Sequence, residues 1–216
     1  MNKICRATLF LITLIAFEST KAQDDTNSYF RLANATGLDG KVHFHLDGED
    51  LNPDGYISGE TTGSLGVAAT SVRIKASHLQ CEDAEQTFQL TPGQQTAIIV
   101  YVEPEKDSKT GEIKKRLIKF STLDRKADSK KRTATLLFLS VSQSIEVKMN
   151  NSPINLTALK QSDIAFGDSR LTGVNITVAE KKIGDFDIED PGDYAVIVFD
   201  KADGTHGCIS FYNSRH

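Results

Sequence analysis

The chain has 216 residues, 39% of them apolar and 7% aromatic, with no Trp and a formal net charge of −4. An ordinary apolar content with so small a net charge excludes a disordered chain, and the acidic balance excludes a dedicated nucleic-acid binder. The length suffices for one large core or two small ones.

The first residues carry a transport signal. Lys3 and Arg6 precede an apolar stretch, Ala7–Phe17, and Thr20-Lys21-Ala22 sets small residues just before Gln23. A positive start, a short apolar run and small residues at the cut make a secretory leader, and the run is well short of the roughly 20 residues that span a bilayer. Residues 1–22 are therefore read as a signal peptide, with the mature chain secreted or periplasmic. Cys5 leaves with the leader, and Cys81 and Cys208 remain. In an oxidising compartment such a pair is expected to form a disulfide, the alternative being two separately buried thiols.

From Ser28 onward the chain is a succession of short runs rich in Val, Ile, Thr, Phe and Tyr, separated by Gly, Asp and Asn. These are strand and turn signals, and no stretch holds the three-and-four apolar spacing of a long helix. The runs then recur in the same order. Val42-His43-Phe44-His45-Leu46-Asp47-Gly48 matches Ile145-Glu146-Val147-Lys148-Met149-Asn150-Asn151, both apolar at alternate positions and both ending in a hairpin-turn pair. Val72-Arg73-Ile74-Lys75 matches Val174-Asn175-Ile176-Thr177, and Ala97–Tyr101 matches Ala195–Phe199. Phe88–Gly93 matches Phe186–Gly192 with one residue inserted.

Self-similarity in fixed order predicts an internal duplication, with repeats over 28–123 and 134–216 and a polar, basic linker over 124–133. Strands with one apolar face need a second sheet to cover it, so each repeat is expected to form a small antiparallel sandwich. Val42, Phe44, Leu46, Ile74, Phe88, Leu90, Ile98 and Val100 should line the first core. Val147, Met149, Ile176, Ile188, Val196 and Val198 should line the second.

This rhythm, with Pro92-Gly93 and Pro191-Gly192 ahead of the last long strands, resembles the immunoglobulin-like β-sandwich modules of secreted bacterial proteins. The resemblance implies an all-β fold of two tandem immunoglobulin-like antiparallel domains. It implies no activity, because such folds host many functions.

A second local pattern is Asp50-Leu51-Asn52-Pro53-Asp54-Gly55-Tyr56-Ile57-Ser58-Gly59-Glu60. It resembles the calcium loop of EF-hand and dockerin-type proteins. Asp50, Asn52 and Asp54 place side-chain oxygens on alternate residues, Gly55 permits the reversal, and the Tyr56 carbonyl adds an oxygen suited to a hard cation. Glu60 stands one residue ahead of the position where such loops carry a bidentate glutamate, and the flanks read as strand and loop. The alternative is a Pro/Asp/Gly-rich turn.

His43, His45 and Asp47 fall on one face of a strand, where two imidazoles can share a metal ion. Their counterparts Glu146, Lys148 and Asn150 are an ordinary polar face, so the same is expected of the histidines. Residues 103–132 carry eleven bases and six acids. Within them Lys114, Lys115, Arg116 and Lys119 share one predicted strand, a candidate polyanion contact or a charged edge strand that blocks sheet-to-sheet association. There is no G-x-S-x-G, C-x-x-C or H-E-x-x-H motif and no phosphate-cradling loop.

These observations predict an exported, non-catalytic binding or structural module of the periplasm or cell surface. Its partner would be a protein or polysaccharide of the cell surface. The first alternative is a calcium-stabilised adhesion or carbohydrate-binding module, and the second is a secreted hydrolase with a carboxylate pair.

Overall fold

The computed structural model describes residues 27–124, 131–167 and 169–212. The signal-peptide segment 1–22 and most of the expected linker lie outside them. Among the described residues there is no helix. The first half contains β1 (Ser28–Asn34), β2 (Lys41–Leu46), β3 (Glu49–Asp50), β4 (Tyr56–Ile57), β5 (Leu65–Val67), β6 (Ser71–Ser77), β7 (Ala84–Gln89), β8 (Gln95–Lys106) and β9 (Ile113–Asp124). The second contains β10 (Arg132–Leu139), β11 (Ser144–Met149), β12 (Ser152–Thr157), β13 (Gln161–Gly167), β14 (Leu171–Val178), β15 (Lys181–Ile188), β16 (Gly192–Asp200) and β17 (His206–Tyr212).

The strands assemble into four sheets, two per half. In the first half the orders are β5-β1-β8-β9 and β3-β2-β6-β7, with β4 attached to β2; in the second they are β13-β10-β16-β17 and β12-β11-β14-β15. The sheets are mainly antiparallel. The expectation of wholly antiparallel sheets needs one correction, because β1 runs parallel to β8 and β10 runs parallel to β16. A parallel pair needs a long crossover. In each half the whole second sheet supplies it.

The halves also share small details. The β2–β3 turn places Asp47 at φ 51° and the β11–β12 turn places Asn150 at φ 47°, the left-handed conformation that Asp and Asn tolerate best. Asp47 N–H donates to the Arg73 carbonyl at 3.0 Å and its Oδ1 accepts from Arg73 N–H at 3.3 Å. Asn150 N–H donates to the Asn175 carbonyl at 3.0 Å and its Oδ1 accepts from Asn175 N–H at 2.9 Å. The glycines of the two Pro-Gly turns behave alike. Gly93 N–H reaches the Asn27 carbonyl at 2.8 Å, and Gly192 N–H reaches the Lys131 carbonyl at 3.1 Å.

Alternating side chains sort into three buried clusters. Phe30, Leu32, Val42, Phe44, Ile74, Phe88, Ile98 and Val100 fill the first half, with Leu46 at the margin. Leu136, Phe138, Val147, Met149, Ile176, Ile188, Val196 and Val198 fill the second. Every core residue expected from the alternation is in its cluster. The third cluster was not anticipated. Ala33, Ala97, Ile99, Tyr101 and Leu123 from the first half meet Leu137, Leu139, Ala195, Ile197, Phe199 and Ile209 from the second. The β1–β8–β9 face thus packs on the β10–β16–β17 face, and the halves share a buried seam.

Two further expectations are corrected. Cys81 and Cys208 form no disulfide. Cys81 packs at the edge of the first-half core and Cys208 at the edge of the second, and two sulfurs in separate cores cannot meet the short Cα separation a bridge requires. The linker also ends earlier than its composition suggests: Arg132 and Thr133 already belong to β10. Arg132 is buried, its Nε and Nη2 donating to the Glu189 carbonyl at 3.1 and 2.7 Å.

Candidate functional site

At one end of the seam the connectors of both halves come together. The β1–β2 connector follows Asn34, the last residue of β1, which is fully buried. Its Oδ1 accepts from Thr36 N–H at 3.0 Å and from the Thr36 hydroxyl at 2.8 Å, while its amide donates to the Tyr56 carbonyl at 2.8 Å. These bonds fix a sharp departure from the sheet and present Gly37 to the second half. Gly37 N–H donates to Ser58 Oγ at 3.0 Å, and the Gly37 carbonyl accepts from Ala202 N–H at 2.8 Å. Only glycine fits here: φ is +66°, and a Cβ would lie 1.9 Å from the Asp200 carbonyl oxygen.

Beside this contact lies a cleft of about 200 Å³. Its walls include Leu38 from the β1–β2 connector, Val102 and Pro104 from β8, Arg116 from β9, Leu139 from the end of β10 and Val141 from the β10–β11 connector. Val141 and Ile113, at its rim, are 59% and 47% exposed. A second cleft of about 490 Å³ shares Leu38, Lys201 and Ala202 with the first and is lined by Asp39, Ser58 and Asp203 on its polar side.

Asp200, at the end of β16, is the polar anchor of the cleft. One carboxylate oxygen accepts the Ser140 hydroxyl, the other lies 3.1 Å from His206 Nδ1, and Ser140 Oγ in turn accepts from Ser142 N–H at 2.8 Å. The carboxylate sits between the serine and the imidazole, so the serine proton faces a carboxylate and not a ring nitrogen. A general base for nucleophilic attack needs the imidazole next to the hydroxyl. This order holds the β10–β11 connector and the β16–β17 turn in place.

Arg116 has no ion pair or side-chain hydrogen bond among the described residues. Behind it is His78, 5% exposed, whose Nε2 donates to the Asp39 carbonyl at 3.1 Å while Nδ1 accepts from Gln80 N–H at 3.1 Å. Burial, assisted by the Arg116 charge, holds the imidazole below its ordinary pKa; the Asp39 carbonyl pulls the other way. The Cys81 thiol, 3.9 Å from His78 Nδ1, is pushed up by burial against the lowering pull of Arg116. Burial, with Asp185 adding to it, pushes the Cys208 thiol up to about 12. Both shifts favour the protonated thiol.

The residues singled out by sequence fall as follows. In the 50–60 loop Asp50 Oδ1 accepts from Asn52 N–H at 3.0 Å and Asn52 Oδ1 from Asp54 N–H at 3.1 Å. The Glu60 carboxylate accepts from Ile57 N–H at 2.9 Å, and the Tyr56 carbonyl is occupied by Asn34. The Asp50, Asn52 and Glu60 hydrogen bonds are local to the loop, and among the described residues no group of three or more His, Cys, Asp or Glu is arranged to hold a metal ion. His43 Nδ1 lies 3.6 Å from Asp50, and His45 sits on a polar face with the Arg73–Glu85 and Lys75–Asp83 pairs.

The basic strand is divided. Lys114 pairs with Asp107 at 2.9 Å, and Lys115 lies 3.3 Å from Glu82 and 3.4 Å from Glu105. Lys119 stands opposite Tyr101. Only Arg116 of the four lines the cleft. Sequence reasoning missed Gly37, Ser140, Asp200 and His206; the one signal was Asp200 directly following the apolar run of β16. Neither a family model nor a curated protein matches the chain.

Proposed function

We propose that this protein is an exported, non-catalytic binding module built from two tandem immunoglobulin-like halves that act as one unit. The observation that carries the reading is the Gly37–Ala202 backbone bond beside the cleft, which makes a recognition surface out of connectors from both halves. Loops held by a rigid β scaffold are where such folds bind. The leader pattern in 1–22 supports a place in the periplasm or at the cell surface, and no helix among the described residues is long and apolar enough to cross a membrane.

The test has two parts. Fractionation of cells making the full chain should find it outside the cytoplasm, and Leu11→Arg in the apolar run of the leader should retain it inside. Binding to cell-surface polysaccharides and proteins should then be lost with Gly37→Ala at the junction and kept with Arg73→Ala on the polar face. Loss by both variants, or by neither, contradicts a junction site.

A further inference from the structure

We infer that the cleft at the junction, its lining part apolar and part polar, takes a small monocarboxylate whose apolar part is about the size of a benzene ring. The inference rests on the junction being a binding site and adds the class of ligand. Size is the first argument. The cleft measures about 200 Å³, and a dry apolar cavity of about 150 Å³ is known to hold benzene. The walls are the second: Leu38, Val102, Pro104, Leu139 and Val141 offer hydrocarbon from both halves.

Charge is the third argument. Arg116 brings a guanidinium to the cleft with no ion pair to a carboxylate among the described residues, although its neighbours Lys114 and Lys115 on β9 are both paired. The acid that does line the cleft, Asp200, has its two oxygens turned to Ser140 and His206. A guanidinium beside an apolar wall matches a carboxylate by two parallel N–H···O bonds, which are stronger than bonds to a neutral acceptor.

Phenylacetate, phenylacetamide and phenethylamine separate the terms, because they share the ring and differ in charge. Titrated into the ¹⁵N-labelled full chain, phenylacetate is expected to move the amide signals of Leu38, Val141 and Ala202, with a dissociation constant on the order of 1 mM or tighter. The amide should bind at least about fivefold more weakly, and the amine should not bind. Arg116→Gln should weaken phenylacetate about tenfold without lowering the melting temperature. Val141→Glu, at an exposed position, should abolish binding by placing a like charge at the mouth.

Equal affinity for acid and amide, or no effect of Arg116→Gln and Val141→Glu, overturns the carboxylate assignment and leaves the junction as a binding site. Absence of any shift at these residues with all three compounds overturns the inference, while the junction site is judged separately by the comparison of Gly37→Ala with Arg73→Ala.

Discussion

The guanidinium carbon of Arg31 lies 4.7 Å from the centroid of the Phe211 ring. Arg31 comes from the first strand of the chain and Phe211 from the last described one, so the contact crosses the seam. Burial lowers the Arg31 pKa, and a cation over a ring gains most where water is withdrawn. Phe211→Ala removes both the ring face and part of the seam's apolar area. The expected loss is about 2 kcal/mol, from roughly 1 kcal/mol of cation–π attraction and a similar burial term. For a chain of this size that lowers the melting temperature by roughly 4–8 °C. Thermal unfolding checks it, and a change below 1 °C removes the contact from the account.

Gly37→Ala is the sharpest backbone test. The new methyl would stand 1.9 Å from the Asp200 carbonyl oxygen at a φ of +66°. The connector must move, breaking the bond from Ala202 N–H, at a cost of about 2 kcal/mol or more. Gly48→Ala is the control: its φ is +96° but nothing lies within 4 Å of the added carbon, so it should cost only about 1 kcal/mol. Chemical denaturation of the two variants should rank them in that order.

His78 makes stability depend on pH in a defined window. Its folded pKa lies below the ordinary 6.5, so the folded protein resists a proton that the unfolded chain accepts. That stability is complete above about pH 6.5 and declines as pH falls toward the lowered folded value. His78→Asn keeps an acceptor for Gln80 N–H but cannot titrate. Melting temperatures between pH 8 and pH 5 should fall more steeply for the native chain than for the variant, and parallel curves would remove His78 as the cause.

The two thiols should be chemically free and protected. Denatured protein lacking residues 1–22, and with them Cys5, should react without reductant with two equivalents of a thiol reagent, as expected of the unbridged Cys81 and Cys208. The folded chain should react slowly at Cys208, whose thiol is pushed up to about 12. A reductant should leave the melting temperature unchanged. Reductant-sensitive melting would mean that a bridge forms after all.

Much of this architecture is legible in the residue pattern, and the part that is not has a physical cause. Alternation placed Val42, Phe44, Val147 and Met149 in the right cores because a strand's side chains have only two directions. The seam was present in the same letters. Ala97–Tyr101 and Ala195–Phe199 are apolar at every position, and a strand apolar on both faces needs cover on both. Ile98 and Val196 line the cores of the two halves, whereas Ile99 and Ile197 both belong to the seam. The disulfide failed for a different reason: compartment decides whether thiols can be oxidised, but only the fold decides whether they meet. The Ser140–Asp200–His206 group and Gly37 were beyond reach because no local spacing reports which distant turns converge.

The shared seam is the claim on which the junction cleft depends, and differential scanning calorimetry of the full chain tests it most directly. One transition, with equal calorimetric and van't Hoff enthalpies, is the predicted result. Ile197→Asp, buried in the seam, should shift that transition as a whole. Two separate transitions, with Ile197→Asp moving only one of them, would contradict it.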